Sequence, residues 1–190
     1  MTEKSRLDSQ PRSHELFDEM LVVMAQRGDR AAGERLARRW YPRLARAARR
    51  YVGDAGDAEA LAQECWLAIA RRLSGLRDPA KFAPWAFGIL RRQGASRLRE
   101  TLRERERRDA DVEADSASPA PQEDSIAIAQ AFAQLPPDQR FAAHLYFVEG
   151  LTLGEIAEAA AIPLGTAKSR LFHARRRLKA ALSPLTTGEP

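Results

Sequence analysis

Cysteine is almost missing from this chain: Cys65 is the only one among 190 residues. That excludes a disulfide framework and a cysteine-based zinc motif, and leaves Cys65 as a small apolar residue on a helix face. Histidine is scarce as well, and His14, His144 and His173 are too scattered to form a metal site. No apolar run approaches the ~20 residues of a membrane span. The N-terminus is charged and polar and carries no apolar signal segment. The expectation is a cytoplasmic chain with no membrane insertion. Alternation with period two is also wanting, so no strand is expected. The last shortage is local. From Gly165 to Leu182 the chain carries six lysines and arginines and no acid.

What is present is charge, unevenly placed. The formal net charge is +5 and the sequence pI about 9.9, which points to an anionic partner. Arg27 to Arg108 holds 21 basic and 10 acidic residues, and Ser125 to Leu182 holds seven basic and four acidic ones. Between them, residues 109–124 (DADVEADSASPAPQED) carry six acids and no base. That strip is rich in small residues, includes Pro119 and Pro121, and has almost nothing to bury, so it reads as a flexible linker.

Helical periodicity fills the rest. A first pattern runs from His14 to Arg27, with Leu16, Phe17, Met20, Leu21 and Met24 on one side and Gly28-Asp29 as its break. A second runs from Arg30 towards Tyr51 and is expected to be interrupted at Pro42. After a turn at VGDAGD, Asp57 to Leu73 repeats Leu61, Cys65, Ile69 and Leu73 at four-residue steps. A loop, SGLRDPA, precedes a helix from Phe82 to Arg103 or beyond. Three shorter helices follow the linker, at Ser125–Gln134, Pro137–Val148 and Thr152–Ala160. The expected fold is all-α, with two helical domains joined by an acidic linker. Residues 1–13 form a loose N-terminus, 14–108 and 125–182 the two domains, and 183–190 a tail.

The end of the chain has the outline of a helix-turn-helix. Thr152 and Glu155 have capping-box spacing. Pro163 bars the preceding helix from continuing, and a new helix opens near Leu164. On a wheel at 100° per residue, Leu164, Ala167, Leu171, Ala174 and Leu178 make the core stripe. Thr166, Ser169, His173 and Arg176 lie opposite, with Phe172 on one flank and Arg170 and Arg177 on the other. A merely solvated helix would mix acids among its bases for i,i+4 pairing. Small polar groups at the crest suit a major groove, and flanking cations suit phosphates. Ser169, Phe172, His173 and Arg176 are therefore candidates for base edges. Lys168, Arg170, Arg175, Arg177 and Lys179 are candidates for phosphate.

The string from Leu135 to Leu182 resembles region four of bacterial RNA polymerase sigma factors, most of all the extracytoplasmic-function (ECF) group. The resemblance rests on Leu135-Pro136 with Arg140, Glu149-Gly150-Leu151-Thr152, Glu155-Ile156-Ala157, Gly165 to Arg170, and Ala174-Arg175. Upstream, Asp57 to Glu64 (DAEALAQE) is similar to the region-two motif of that family. Phe82, Trp85, Ile89, Leu98 and Arg99 follow at the spacing of its promoter-melting helix. The resemblance implies that Asp57, Glu59, Leu61, Gln63 and Glu64 dock on core RNA polymerase at its clamp coiled coil, with a further contact at the flap region. It implies that Phe82, Trp85, Arg91, Arg92, Ser96, Arg97 and Arg99 engage promoter DNA during melting. Trp85 and Phe82 are candidates for stacking on separated bases, against the alternative that both pack the core. Arg92 and Ser96 depart from the asparagine and aspartate frequent at those places in the family. No cofactor or metal is called for and no catalysis is expected. An anti-sigma factor enters as a candidate partner by resemblance alone.

Two other readings compete. One is a stand-alone helix-turn-helix regulator, for which the Asp57–Glu64 motif would have no use. The other is a nucleic-acid enzyme with Asp57, Glu59 and Glu64 on a metal, which lacks a second ligand cluster or a catalytic histidine.

Overall fold

The computed structural model describes residues 13–107 and 123–183. Most of the expected linker, the N-terminal segment before Ser13 and most of the tail lie outside the described residues. Those described form eight α-helices in chain order: α1 (Ser13–Gln26), α2 (Arg30–Val52), α3 (Ala55–Arg72), α4 (Phe82–Arg107), α5 (Glu123–Ala133), α6 (Pro137–Phe147), α7 (Leu153–Ala160) and α8 (Leu164–Leu182). No strand occurs among them.

Local chemistry sets the boundaries. Asp29 caps α2 by accepting from the Ala32 N–H, and Asp54 caps α3 by accepting from the Asp57 N–H. Between those two helices Gly53 takes φ 90°, a left-handed conformation that glycine adopts without a Cβ clash. The loop after α3 is two short 3-10 turns, Leu73–Gly75 and Pro79–Lys81. Gln26 of α1 pins it, donating from Nε2 to the carbonyls of Leu73 (2.8 Å) and Leu76 (2.7 Å).

Pro42 does not interrupt the second helix, because α2 runs unbroken through it. Proline removes one N–H from the helical ladder, and Pro42 lies on the exposed side, where water can serve the freed carbonyl. The first helix also departs from its expected stripe. Leu16, Phe17 and Met20 are exposed, whereas Leu21, Val22 and Asp18 are buried. Asp18 turns inward because α2 offers it two guanidiniums, Arg39 Nε at 2.6 Å and Arg43 Nη1 at 3.6 Å.

The main core spans both halves of the chain. Leu36, Trp40 and Leu44 of α2 join Leu61, Cys65 and Ile69 of α3, with Phe82, Phe87, Ile89 and Leu90 of α4. Phe141 and Leu145 of α6, Ile156 and Ala159 of α7, and Ala167 of α8 belong to the same cluster. Helices α4 and α7 lie against each other, as do α2 and α6. The approach is close at Gly88, where a Cβ would stand 3.4 Å from the Ala159 carbonyl oxygen. Tyr51 stacks obliquely on Phe141, ring centroids 5.2 Å apart. A smaller core of Ala131, Phe132, Leu135, Ala143, Ala174 and Leu178 binds α5, α6 and α8 together. Two helical domains are therefore packed upon each other, with ion pairs along the seam.

Candidate nucleic-acid and polymerase interface

The helix-turn-helix is α7, a turn and α8. The capping box is formed: Thr152 Oγ1 accepts from the Glu155 N–H at 3.3 Å, and the Thr152 N–H donates to Glu155 Oε2 at 2.8 Å. Ala161 turns the chain with φ 50°, and the Ile162 N–H returns to the Ala157 carbonyl at 3.0 Å. The Pro163 carbonyl accepts the first N–H groups of α8, from Thr166 and Ala167.

On α8, Ala167, Ala174 and Leu178 are buried and Leu171 is half-buried. Leu164 is 57% exposed, which corrects its place in the expected core stripe. It stands in the first turn, where the helix has not yet reached the core. Lys168, Ser169, Phe172, His173, Arg175, Arg176, Arg177 and Lys179 are all exposed. Thr166 is half-buried, and its carbonyl accepts from Ser169 Oγ at 3.0 Å. The Phe172 and His173 rings meet edge to face at 5.5 Å, forming an apolar ledge beside the cations. Arg170 differs from the rest. It is half-buried, and its Nη2 donates to Asp138 Oδ2 at 2.6 Å.

The second group lies between α3 and α4. A cleft of about 600 Å³ is lined by Asp57 and Glu64 on one side and Arg92, Ser96 and Arg97 on the other. Arg97 bridges the walls, with Nη2 at 2.5 Å from Glu64 and Nη1 at 3.4 Å from Asp57. Arg92 and Arg99 are exposed. Ser96 Oγ donates to the Arg92 carbonyl and accepts from Arg99 Nη2 at 3.1 Å. Glu59 accepts from the Tyr41 hydroxyl and from Gln63 Nε2, so Tyr41 joins this surface although nothing in its sequence setting marked it. Burial and the neighbouring Glu59 hold the Tyr41 phenol above its ordinary value. Among the described residues no group of three or more His, Cys, Asp or Glu could hold a metal ion.

Two residues implied by resemblance are corrected. Leu61 is 0% exposed, so it builds the core and offers no surface to a partner. Phe82 is 2% exposed and sits edge-on to Trp40 with centroids 4.8 Å apart, so it is a core residue and not a platform for a base. Trp85, half-buried at 5.9 Å from Phe82, keeps part of its surface open. Arg91 is half-buried and points towards α6, with Nη2 3.3 Å from Asp138 Oδ1.

Sequence reading missed the residues of the seam. Glu149 accepts from Arg43 Nε at 2.6 Å, and Glu158 from Lys81 Nζ at 2.6 Å. These partners lie 106 and 77 positions apart, so no local pattern could have paired them.

The sigma-70 region 2 family model matches residues 36–104, and the sigma-70 region 4 model matches residues 125–178. RNA polymerase sigma-H factor of Pseudomonas aeruginosa is 33% identical over 88% of this chain and 95% of its own. The chain belongs to the ECF sigma factors. The ECF sigma factor SigM of Mycobacterium tuberculosis is 31% identical over 92% of the chain, and ECF sigma-E of Escherichia coli 29% identical over 91%. The fold agrees. The sigma factor RpoE of Bartonella quintana, solved with the anti-sigma factor NepR, gives a TM-score of 0.71 at 26% identity, covering 79% of this chain and 96% of that one. CnrH, solved with the cytosolic domain of CnrY, gives 0.63 at 23% identity and shows a like fold. Sigma factors regulate transcription initiation and are not enzymes. No described helix of this one is long and apolar enough to cross a membrane.

Proposed function

We propose that this ECF sigma factor binds core RNA polymerase and directs it to promoters, reading the upstream (−35) element with α8 and helping to melt the downstream (−10) element with α4. The observation that carries this reading is the outer face of α8. It is exposed from Lys168 to Lys179, holds no acid, and stands on a capped helix-turn-helix whose inner face is packed. Ser169, Phe172, His173 and Arg176 would meet base edges, and Lys168, Arg175, Arg177 and Lys179 phosphates, with Thr166 and Arg170 at the margin.

In the other domain, Arg92, Ser96, Arg97 and Arg99 would follow the opened strand, with Trp85 as the stacking surface. Base–aromatic stacking of ~1–3 kcal/mol helps offset the cost of unpairing. Asp57, Glu59, Gln63 and Glu64 would meet the polymerase clamp, and the region-four half the flap. An anti-sigma factor is a fitting partner, since RpoE and CnrH are each solved with a binding protein. The proposed setting is the cytoplasm, alongside the polymerase, and the bond-making chemistry stays with that enzyme.

The test is initiation by core polymerase on a promoter library with the purified chain added. Promoter-specific transcripts are expected. DNA binding without redirection of the enzyme would mark a stand-alone regulator, and strand cleavage a nuclease. Replacing Arg176 and His173 with alanine should cost ~1–3 kcal/mol of upstream discrimination per good base contact. Unchanged sequence preference would remove the outward face of α8 from the reading.

A further inference from the structure

Four arginines of α2, Arg39, Arg43, Arg46 and Arg50, follow one another at steps of four, three and four residues, so they share one face of the helix. The first two are matched by acids. Arg39 meets Asp18, and Arg43 meets Asp18 and Glu149. The last two are not. Among the described residues no carboxylate lies within ion-pair distance of Arg46 or Arg50. Arg50 is half-buried and stands over the Phe132 ring at 4.4 Å. Arg140 of α6 is half-buried close by and has no carboxylate partner either; a Cβ on Gly53, at the end of α2, would lie 3.9 Å from its Nη1. Its Nε is buried without an acceptor. Burial, and after it the Arg140 charge, hold the Arg50 guanidinium below its ordinary pKa. The buried His144 feels the same charges: Arg50 and Arg46 add to burial in lowering its pKa, against the pull of Glu149. The C-terminal end of α2 attracts cations and an aromatic face accepts one, which accounts for part of this. Three converging guanidiniums are more than those weak partners balance, because partly buried cations are ordinarily paired.

We infer that Arg46, Arg50 and Arg140 form a binding site for a small oligophosphate, the class that includes free pyrophosphate and the phosphate tails of nucleotides. Guanidinium forks match phosphoryl oxygens two by two. Arg46 and Arg50 are one turn apart, about 6 Å along the helix axis, so each can hold a different phosphoryl group of one ligand. Arg140 approaches from α6. Two linked phosphoryl groups bring about as much negative charge as the three arginines bring positive. None of the three arginines belongs to the surfaces proposed for DNA or for the polymerase clamp. A ligand seated on them stabilises the folded chain by mass action.

Pyrophosphate is the probe, titrated calorimetrically into the full chain without magnesium, with sodium sulfate at matched ionic strength as the comparison anion. One site per chain and a raised thermal midpoint are expected with pyrophosphate, and neither with sulfate. Arg46→Gln and Arg140→Gln should each weaken binding by about tenfold or more. Arg46 is exposed, so its variant should fold as the wild type does, which the thermal midpoint without ligand checks. Arg176→Ala, on the outer face of α8, should leave pyrophosphate affinity as it was. Adenosine triphosphate is the second arm: tighter binding than pyrophosphate names a nucleotide as the source of the phosphates, and equal or weaker binding a free oligophosphate. Equal stabilisation by sulfate would reduce the effect to screening of a basic protein and overturn the site. Wild-type affinity in both Arg46→Gln and Arg140→Gln would overturn it too. So would a loss confined to Arg176→Ala, which would move the anion to the face proposed for DNA.

Discussion

Replacing Phe82 with alanine should unfold this protein before it disables promoter melting. The ring is 2% exposed, set edge-on to Trp40 at 4.8 Å and tilted to Trp85 at 5.9 Å. Removing a fully buried phenyl group forfeits its transfer energy and leaves a cavity, together roughly 3–5 kcal/mol. Edge-to-face pairing contributes ~0.5–1.5 kcal/mol of specific geometry to that loss. Rigid neighbours on α2 and α4 leave little scope for collapse, so the upper part of the range is expected. A base stacked on an exposed ring would instead cost ~1–3 kcal/mol of DNA binding with stability untouched. Urea unfolding of Phe82→Ala and Phe82→Leu decides between the two. The alanine variant should lose several kcal/mol. The leucine variant should lose ~1–2 kcal/mol, since it refills most of the volume, and should retain strand opening on a promoter carrying a fluorescent base analogue. Full stability in Phe82→Ala combined with failed opening would show that the ring faces DNA and that its packing against Trp40 has been misjudged.

Gly94→Ala should destabilise the protein although alanine favours helix by about 1 kcal/mol. Its Cβ would fall 2.6 Å from Tyr51 Cδ1, a ring already held by Phe141, so overpacking of ~1–3 kcal/mol outweighs the gain, and a raised urea midpoint would contradict this. Glu149→Gln should cost about 2–3 kcal/mol. Breaking a buried pair costs ~3–5 kcal/mol, and here Arg43 is 19% exposed and keeps Asp18 nearby; a double-mutant cycle with Arg43→Gln measures the coupling, and additive losses would deny it. Stability should also fall as solution is acidified from neutral. Burial holds the His144 pKa below its ordinary 6.5, so the unfolded chain takes up that proton first and stability declines as pH drops beneath about that value. Glu149 adds a second decline below its ordinary 4.5: burial alone would raise it, but the His144 contact and Arg43 pull it down, so its share is lost as pH falls towards that lowered value. The urea midpoint against pH should slope downwards into acid, and a flat profile between pH 7 and 5 would count against a buried neutral His144.

The helix-turn-helix was legible almost residue by residue, because its signals are local. A capping box needs four consecutive positions, and an outward face needs only the helical period. The wheel failed at Leu164, since periodicity says which side a residue takes but not whether a neighbouring helix extends that far. The same limit explains α1. Its stripe of Leu16, Phe17 and Met20 was visible, yet the buried side was chosen by Arg39 and Arg43 of α2, which draw Asp18 inward. Leu61 teaches a different lesson. The four-residue repeat with Cys65 and Ile69 placed it in the core, and only the resemblance carried it to the polymerase surface. The seam was invisible because Asp138, Glu149 and Glu158 meet partners that no sequence window contains.

Cys65 is fully buried, and burial pushes its thiol up to about 12. A thiol so raised and so shielded from solvent is a poor nucleophile. Thiol oxidation therefore has no foothold on the described part of this molecule, and an oxidative signal relayed through cysteine chemistry would have to arrive by way of another protein. The same inertness is useful at the bench. A cysteine introduced on the surface would be the one that reacts, so probes can be attached to the wild-type background without first removing the native thiol.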